Sequence, residues 1–285
     1  MCGGDCRSET RTAEAVRRLA SVRVDGGVRA RATPSAGRTR ISDLIERGGY
    51  RLKFPAVEGA HLQAVQLNTG GGVAGGDALA FTFTVDDDAD VVFSTQGAER
   101  VYRTLGPTAE ADIALTVGAG ARLDWLPQET ILFSGARLKR RFEVDLAADA
   151  NLLIVEMVTF GRIASAEVMG RGLLHDVWRV RRGGRLLFAE GTRLDGDIAG
   201  LLARPAIAGG ARAMALLLHV APTAEEKLAP VREALGGARS VCGTSAWNGM
   251  LTARFLDEEP SAVRADVMAA IETLGARKLP RAWTM

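Results

Sequence analysis

The sequence predicts a mainly β protein built from many short strands in series, with two α-helices near the C-terminus. Two observations carry this. From Tyr50 to Ala221 apolar residues alternate with period two, broken every eight to twelve residues by Gly, Asp or Pro. Helical spacing is concentrated beyond that stretch, in Ala224 to Leu235 and Pro260 to Leu274.

In chain order, residues 1 to 40 read as a basic, irregular arm. They hold nine Arg against four acids, a charge of +5, while residues 41 to 285 carry −3 and form one mainly β domain. Thr12 to Ala20 suits a helical turn or two. His61 to Leu67 is a strand, and the Gly-rich Asn68 to Asp77 is a tight connection. Ala78 to Val85 shows the alternation best: Leu79, Phe81, Phe83 and Val85 share one face, Thr82 and Thr84 the other. Further strands are Val91 to Gln96, Asp112 to Val117, Leu138 to Leu146, Asn151 to Val158, Leu173 to Arg181, Arg185 to Glu190 and Arg212 to Val220. Gly183-Gly184 suits a two-residue hairpin turn, which demands positive φ. Ala224 to Leu235 is a short helix stopped by Gly236-Gly237. In Pro260 to Leu274 the proline suits the first helical position, Val263, Val267, Ile271 and Leu274 share a face, and Gly275 suits the cap. Such a strand series closes into a sandwich, a barrel or a stacked-sheet solenoid.

Composition excludes several classes. Hydrophobic residues make up 47% of the 285, yet no apolar run approaches the ~18 residues a bilayer span needs. The N-terminus lacks the apolar core of a secretory signal, so a cytoplasmic protein without a membrane partner is expected. Cys2, Cys6 and Cys242 are too few and too unevenly placed for a disulfide framework. The arm's arginines stand singly without stacking aromatics, which argues against nucleic acid. Gly70, Gly72 and Gly75 satisfy G-x-G-x-x-G, but a strand comes next where a dinucleotide site needs a helix. Asp86, Asp88 and Asp90 imitate an EF-hand start without its Gly or closing Glu, and read as a solvated turn. His61, His175 and His219 are scattered, no nucleophile elbow occurs, and no tight metal site is expected.

Three carboxylates interrupt apolar faces. Glu156 alternates with Ile154 and Val158, Glu129 with Ile131 and Phe133, and Glu99 with Phe93 and Val101. An inward carboxylate is costly unless paired. Two readings stay open: internal ion pairs with Arg100, Arg103 or Arg162, or a functional polar interior, as in an all-β enzyme or ligand-binding protein.

Five ordered blocks carry a more specific resemblance. Leu67-Asn-Thr-Gly-Gly-Gly-Val-Ala-Gly-Gly-Asp77, Ser94-Thr-Gln-Gly-Ala-Glu-Arg-Val-Tyr-Arg103, Trp125-Leu-Pro-Gln-Glu-Thr-Ile-Leu-Phe133 with Gly135-Ala136, Gly161-Arg162 with Glu167, and Pro280-Arg-Ala-Trp283 resemble the urease accessory protein UreD (UreH) family. Gly97, Arg100 and Ala282 depart from the usual Ala, Lys and Ile. The resemblance implies a helicoidal stack of strands with a pair of helices, and a chaperone without turnover. It also implies that UreF and the GTPase UreG are partners, and that the assembly docks on apo-urease during nickel insertion. Nickel would then be a transient cargo conducted through an internal passage, with no tightly bound cofactor. On that view Glu99, Glu129 and Glu156, with Glu167 and Asp77 from the family blocks, are candidates to line the passage. Arg162, Tyr102 and Trp283 are candidates for partner-facing or structural roles.

Overall fold

The computed structural model describes residues 23–275 and 279–284. Strands dominate, and they form two sheets. The first contains β1 (Asp25–Ser35), β2 (Arg38–Arg47), β5 (Ala78–Val85), β8 (Ala109–Val117), β11 (Arg137–Leu146), β13 (Arg171–Arg182) and β14 (Arg185–Asp197), in the order β14-β13-β11-β8-β5-β1-β2. The second is made by β3 (Tyr50–Lys53), β4 (Leu62–Asn68), β6 (Asp90–Thr95), β9 (Arg122–Leu126), β12 (Asn151–Phe160), β15 (Ala213–Val220), β16 (Val241–Trp247) and β17 (Met250–Asp257), in the order β16-β17-β15-β12-β9-β6-β4-β3. The short strands β7 (Glu99–Val101) and β10 (Thr130–Leu132) extend this sheet sideways through β12.

Between β4 and β13 the chain passes back and forth between the sheets, and each return lays a strand parallel to its predecessor. This is a stacked-coil β-solenoid, as the resemblance implies. Parallel register sets inward side chains into rows across successive coils. Phe81, Ile113, Phe142 and Trp178 form one such row. Ala64, Phe93, Trp125 and Ile154 form another in the opposite sheet, where the Phe93 and Trp125 rings stack at 3.7 Å. Both rows belong to one core between the sheets.

A second core lies on the outer face of the larger sheet. The helix Pro260–Thr273 covers it with Val263, Val267, Ala270 and Ile271, beside the shorter helix Leu228–Ala234. This explains why β12 is apolar on both faces: it is covered by a sheet on one side and a helix on the other. Both expected helices are present, and a further one, Ile198–Leu202, comes after β14.

The N-terminal boundary needs correction. Residues 25–40 are not an irregular arm: β1 pairs parallel with β5 and antiparallel with β2, so the sheet already begins at Asp25. Val28, Ala30 and Ala32 alternate inward there, a short signal masked by the surrounding arginines. The possible helical turn at Thr12 to Ala20 and the residues Cys2 and Cys6 lie outside the described residues. The expected hairpin at Gly183-Gly184 is present, both glycines having positive φ. In the Gly-rich connection, a Cβ on Gly72 would fall 2.5 Å from the Tyr102 ring and 2.7 Å from the Arg100 carbonyl oxygen, so only glycine fits. No described helix is long and apolar enough to cross a membrane.

Candidate functional site

The inner face of β11 presents Leu138, Arg140, Phe142 and Val144, while Lys139 and Arg141 point to solvent. On β13 the inward set is Leu174, Asp176, Trp178 and Val180. Parallel register makes Arg140 and Asp176 direct neighbours. Glu156 approaches from β12 in the facing sheet. All three side chains are buried, with Arg140 and Glu156 7% exposed and Asp176 6%.

They form one ionic cluster. Arg140 Nη1 donates to Glu156 Oε2 at 2.5 Å, and Nη2 to Asp176 Oδ2 at 2.5 Å. Arg140 Nε reaches Asp176 Oδ1 at 3.3 Å, and Nη1 also contacts Thr130 Oγ1 at 3.4 Å. Trp125 Nε1–H donates to the other Glu156 oxygen at 3.1 Å. Burial disfavours the guanidinium charge, but Asp176 and Glu156 outweigh it and hold Arg140 protonated. Burial likewise pushes the Glu156 carboxyl up, against the opposing pull of Arg140. One guanidinium faces two carboxylates, so the fully ionised cluster carries one uncompensated negative charge.

A cavity opens on each side of this cluster, and Arg140 and Glu156 line both. One, of about 90 Å³, is bounded by Glu99, Tyr50, Gln66, Thr95, Gln128 and Thr130. The other, of about 240 Å³, runs past Asp176, Thr192, Leu194 and Met214 to Glu190 and Arg254, which form an exposed ion pair. Across the two cavities the ionisable lining is Glu99, Glu156, Asp176 and Glu190 against Arg140 and Arg254, a net charge of −2 when all are ionised. The polar lining tracks the coil rows: Arg140, Asp176 and Thr192 are successive register partners in one sheet, and Glu99 and Thr130 are partners along the short strands β7 and β10. The interrupted interior therefore runs along the solenoid axis from coil to coil.

The structure thus brings together two of the expected passage residues, Glu99 and Glu156, at one cavity. Glu99 accepts from Asn68 Nδ2 at 2.9 Å and lies 3.4 Å from the Tyr50 hydroxyl. Burial raises its pKa, partly offset by those hydrogen bonds. Glu129 lies elsewhere, on the outer side, 3.4 Å from Arg264. Asp77 ties down the Gly-rich turn, accepting from Val24 N at 3.0 Å and Ala74 N at 2.7 Å. Glu167 sits at a surface basin, where the bond from Arg162 holds its carboxyl below the usual range. Tyr102 shares that basin and donates to the Gly71 carbonyl at 2.7 Å, and Arg162 lies over the Phe133 ring at 4.8 Å. Trp283 is 1% exposed: Nε1–H donates to the Leu126 carbonyl at 2.9 Å and Arg264 stacks on its ring.

Arg100 acts on Glu99, its charge opposing the rise in that carboxyl's pKa, but the other two carboxylates pair with arginines other than those expected. Arg140 holds Glu156 and Arg264 holds Glu129, whereas Arg162 pairs with Glu167. Arg140 and Asp176 escaped sequence reading although they carried the same signal as Glu156. Each is a charge placed two residues from large apolar side chains on an alternating strand. Among the described residues, no group of three or more His, Cys, Asp or Glu side chains is arranged to hold a metal ion.

Fold and site together define a class: a two-sheet β-solenoid with a buried ionic cluster between two interior cavities. Similarity to known proteins resolves it further. The family model for the UreD urease accessory protein matches residues 24–284. The chain is 46% identical to urease accessory protein UreD of Azorhizobium caulinodans, over 92% of this chain and 97% of the relative. It is 48% identical to urease accessory protein UreD 3 of a Bradyrhizobium species, covering 92% and 94%. To UreD of a Rhodopseudomonas palustris strain it is 50% identical, covering 87% and 86%. The chain belongs to the UreD urease accessory protein family and has a role in urease maturation.

Proposed function

We propose that this protein assists nickel insertion into apo-urease by conducting nickel along the solenoid interior, acting with UreF and UreG in the cytoplasm and turning over no substrate of its own. The observation that carries this reading is the pair of cavities flanking Arg140 and Glu156, in a chain whose relatives are named urease accessory proteins. Nickel accepts carboxylate, amide oxygen and water donors. Glu99, Glu156, Asp176 and Glu190 supply carboxylates at intervals along the corridor, and the described residues assemble no full ligand set, which suits transit rather than storage. Glu129 and Asp77 lie off this path and take structural roles. Glu167, Arg162 and Tyr102 form a surface where a partner docks.

A block tests it. Thr192 lines the larger cavity and is half-buried, so Thr192→Trp fills the corridor at modest strain. The complex of Thr192→Trp with UreF and UreG is expected to form at normal yield and to activate urease at least about tenfold more slowly, while Thr192→Val activates normally. Full activation by Thr192→Trp at matched complex yield overturns the passage.

A further inference from the structure

Taking the nickel passage as its premise, we propose that Arg140 is a displaceable plug: its guanidinium occupies the position of a cation between Glu156 and Asp176, and a divalent metal ion in transit takes that position as the guanidinium swings aside.

The first ground is topological. Arg140 and Glu156 line both cavities, so the ion pair stands at the junction between them. An Arg serving only to neutralise a buried carboxylate would be packed on all sides. Here open space lies on both flanks, and the guanidinium has other surfaces to rest on: Thr130 Oγ1 at 3.4 Å and the Phe142 ring at 5.2 Å.

The second ground is charge. Two carboxyl groups share one guanidinium, and a dication in its place would neutralise both carboxylates. A carboxylate pair prefers a divalent ion to a single spread positive charge, because the Coulomb attraction doubles and the ion approaches closer. Arg140 is meanwhile held by two strong hydrogen-bonded contacts, so the corridor is closed until a metal ion arrives.

An independent observation points to an occupant on the smaller side. Gln128 is buried, lines the same cavity as Glu99 and Glu156, and its Nε2 has no hydrogen-bond partner among the described residues. Buried amides are almost always satisfied. About 90 Å³ holds about three water molecules, enough to hydrate a metal ion waiting beside the plug. The amide then bonds to that water, and in the flipped orientation its oxygen faces the ion.

The test uses the full chain co-purified with UreF and UreG, with Ni²⁺ as the probe. Arg140→Gln releases both carboxylates. After desalting it is expected to retain at least about tenfold more Ni²⁺ than wild type, near one ion per chain. Adding Asp176→Asn should return retention to the wild-type level. Folded Arg140→Gln that holds no more Ni²⁺ than wild type overturns the proposal, and so does unchanged retention in the double variant. If Arg140→Gln does not accumulate folded, Arg140→Lys decides. One ammonium grips only one carboxylate well, so retention above wild type supports the plug and wild-type retention overturns it. Thr192→Trp keeps the two readings apart. Normal activation by Thr192→Trp, with Ni²⁺ gained by Arg140→Gln, leaves an ion site but no passage. Blocked activation without that gain leaves a passage but no plug.

Discussion

The larger sheet has two buried faces, and they treat polar groups differently. On its inner side Glu156 meets Arg140 and Asp176 in a cluster of two carboxyl groups on one guanidinium that borders two cavities. On its outer side polar groups are individually settled. Glu129 has Arg264; Asp266 accepts from Ser240 N at 2.7 Å and Ser240 Oγ at 2.6 Å; His219 is neutral, its Nδ1–H bonded to the Leu152 carbonyl at 3.1 Å. The contrast separates a closely packed face from one that borders open volume. Burial alone does not distinguish them, because both are dry by exposure. Open volume beside one guanidinium shared by two carboxyl groups does.

The largest expected effect belongs to the outer face. Trp283 fastens the chain end to β9 through Leu126 and supports Arg264, which bonds the carbonyls of Ala282 and Trp283. Trp283→Ala should cost about 3–5 kcal/mol of stability, as large core truncations do. Nickel delivery by the folded fraction should not change. Urea denaturation together with urease activation per folded complex checks both; a loss under ~1 kcal/mol, or a delivery defect at matched complex yield, would erase the division between the faces.

A smaller effect on the same face comes from acid. Burial lowers the pKa of His219 to about 4, against a weaker opposing contribution from the Leu152 hydrogen bond, with Arg122 and Lys227 adding to the depression. The unfolded chain takes up the proton near 6.5 and the folded chain does not, so stability falls as pH drops from about 6.5 toward 4. Between about pH 7 and about pH 5 the loss is about 2 kcal/mol. His219→Gln should remove that part of the slope. Denaturation curves at the two pH values for both proteins decide it, and equal slopes would show that His219 is not held neutral.

Much of the fold was legible because each coil strand has one face in the core, and period two records that directly. The run of apolar residues in Asn151–Phe160 was also informative, since a central strand covered on both sides must lose its alternation. The hairpin of β16 and β17 was missed although Asn248-Gly249 supplied the strongest short-range signal for one; both residues have positive φ, as a type I′ turn requires. The site was legible by halves. Glu99 and Glu156 stood out as carboxylates on apolar faces, and Arg140 and Asp176 stood out equally to a search that admitted them. Which charge meets which was beyond the sequence, because pairing depends on register between coils: Arg140 and Asp176 are 36 residues apart yet lie side by side. Nor could alternation tell Glu129 from Glu156. Glu156 faces the core between the sheets, whereas Glu129, Ile131 and Phe133 are half-buried, a difference only the fold shows.

That ambiguity sets the last and smallest prediction. The Glu129 and Arg264 side chains are 28% and 23% exposed and 3.4 Å apart, a partly solvated pair whose contribution is about 0–1 kcal/mol. Arg264 keeps its bonds to the chain end and its place over Trp283 when Glu129 loses its charge. Glu129→Gln should therefore shift stability by less than ~1 kcal/mol and leave nickel delivery unchanged. Glu156→Gln removes one of two carboxyl groups from the junction of the two cavities and, on the proposed passage, should slow delivery, although Asp176 still holds Arg140 and the protein still folds. Urease activation by the two variants at matched complex yield gives the comparison its sharpest form, since the substitutions are chemically identical and both positions interrupt an apolar face. Equal slowing by both would mean that the outer face also carries nickel; no slowing by either would remove carboxylate charge from the transit mechanism and leave the corridor working by its open volume alone.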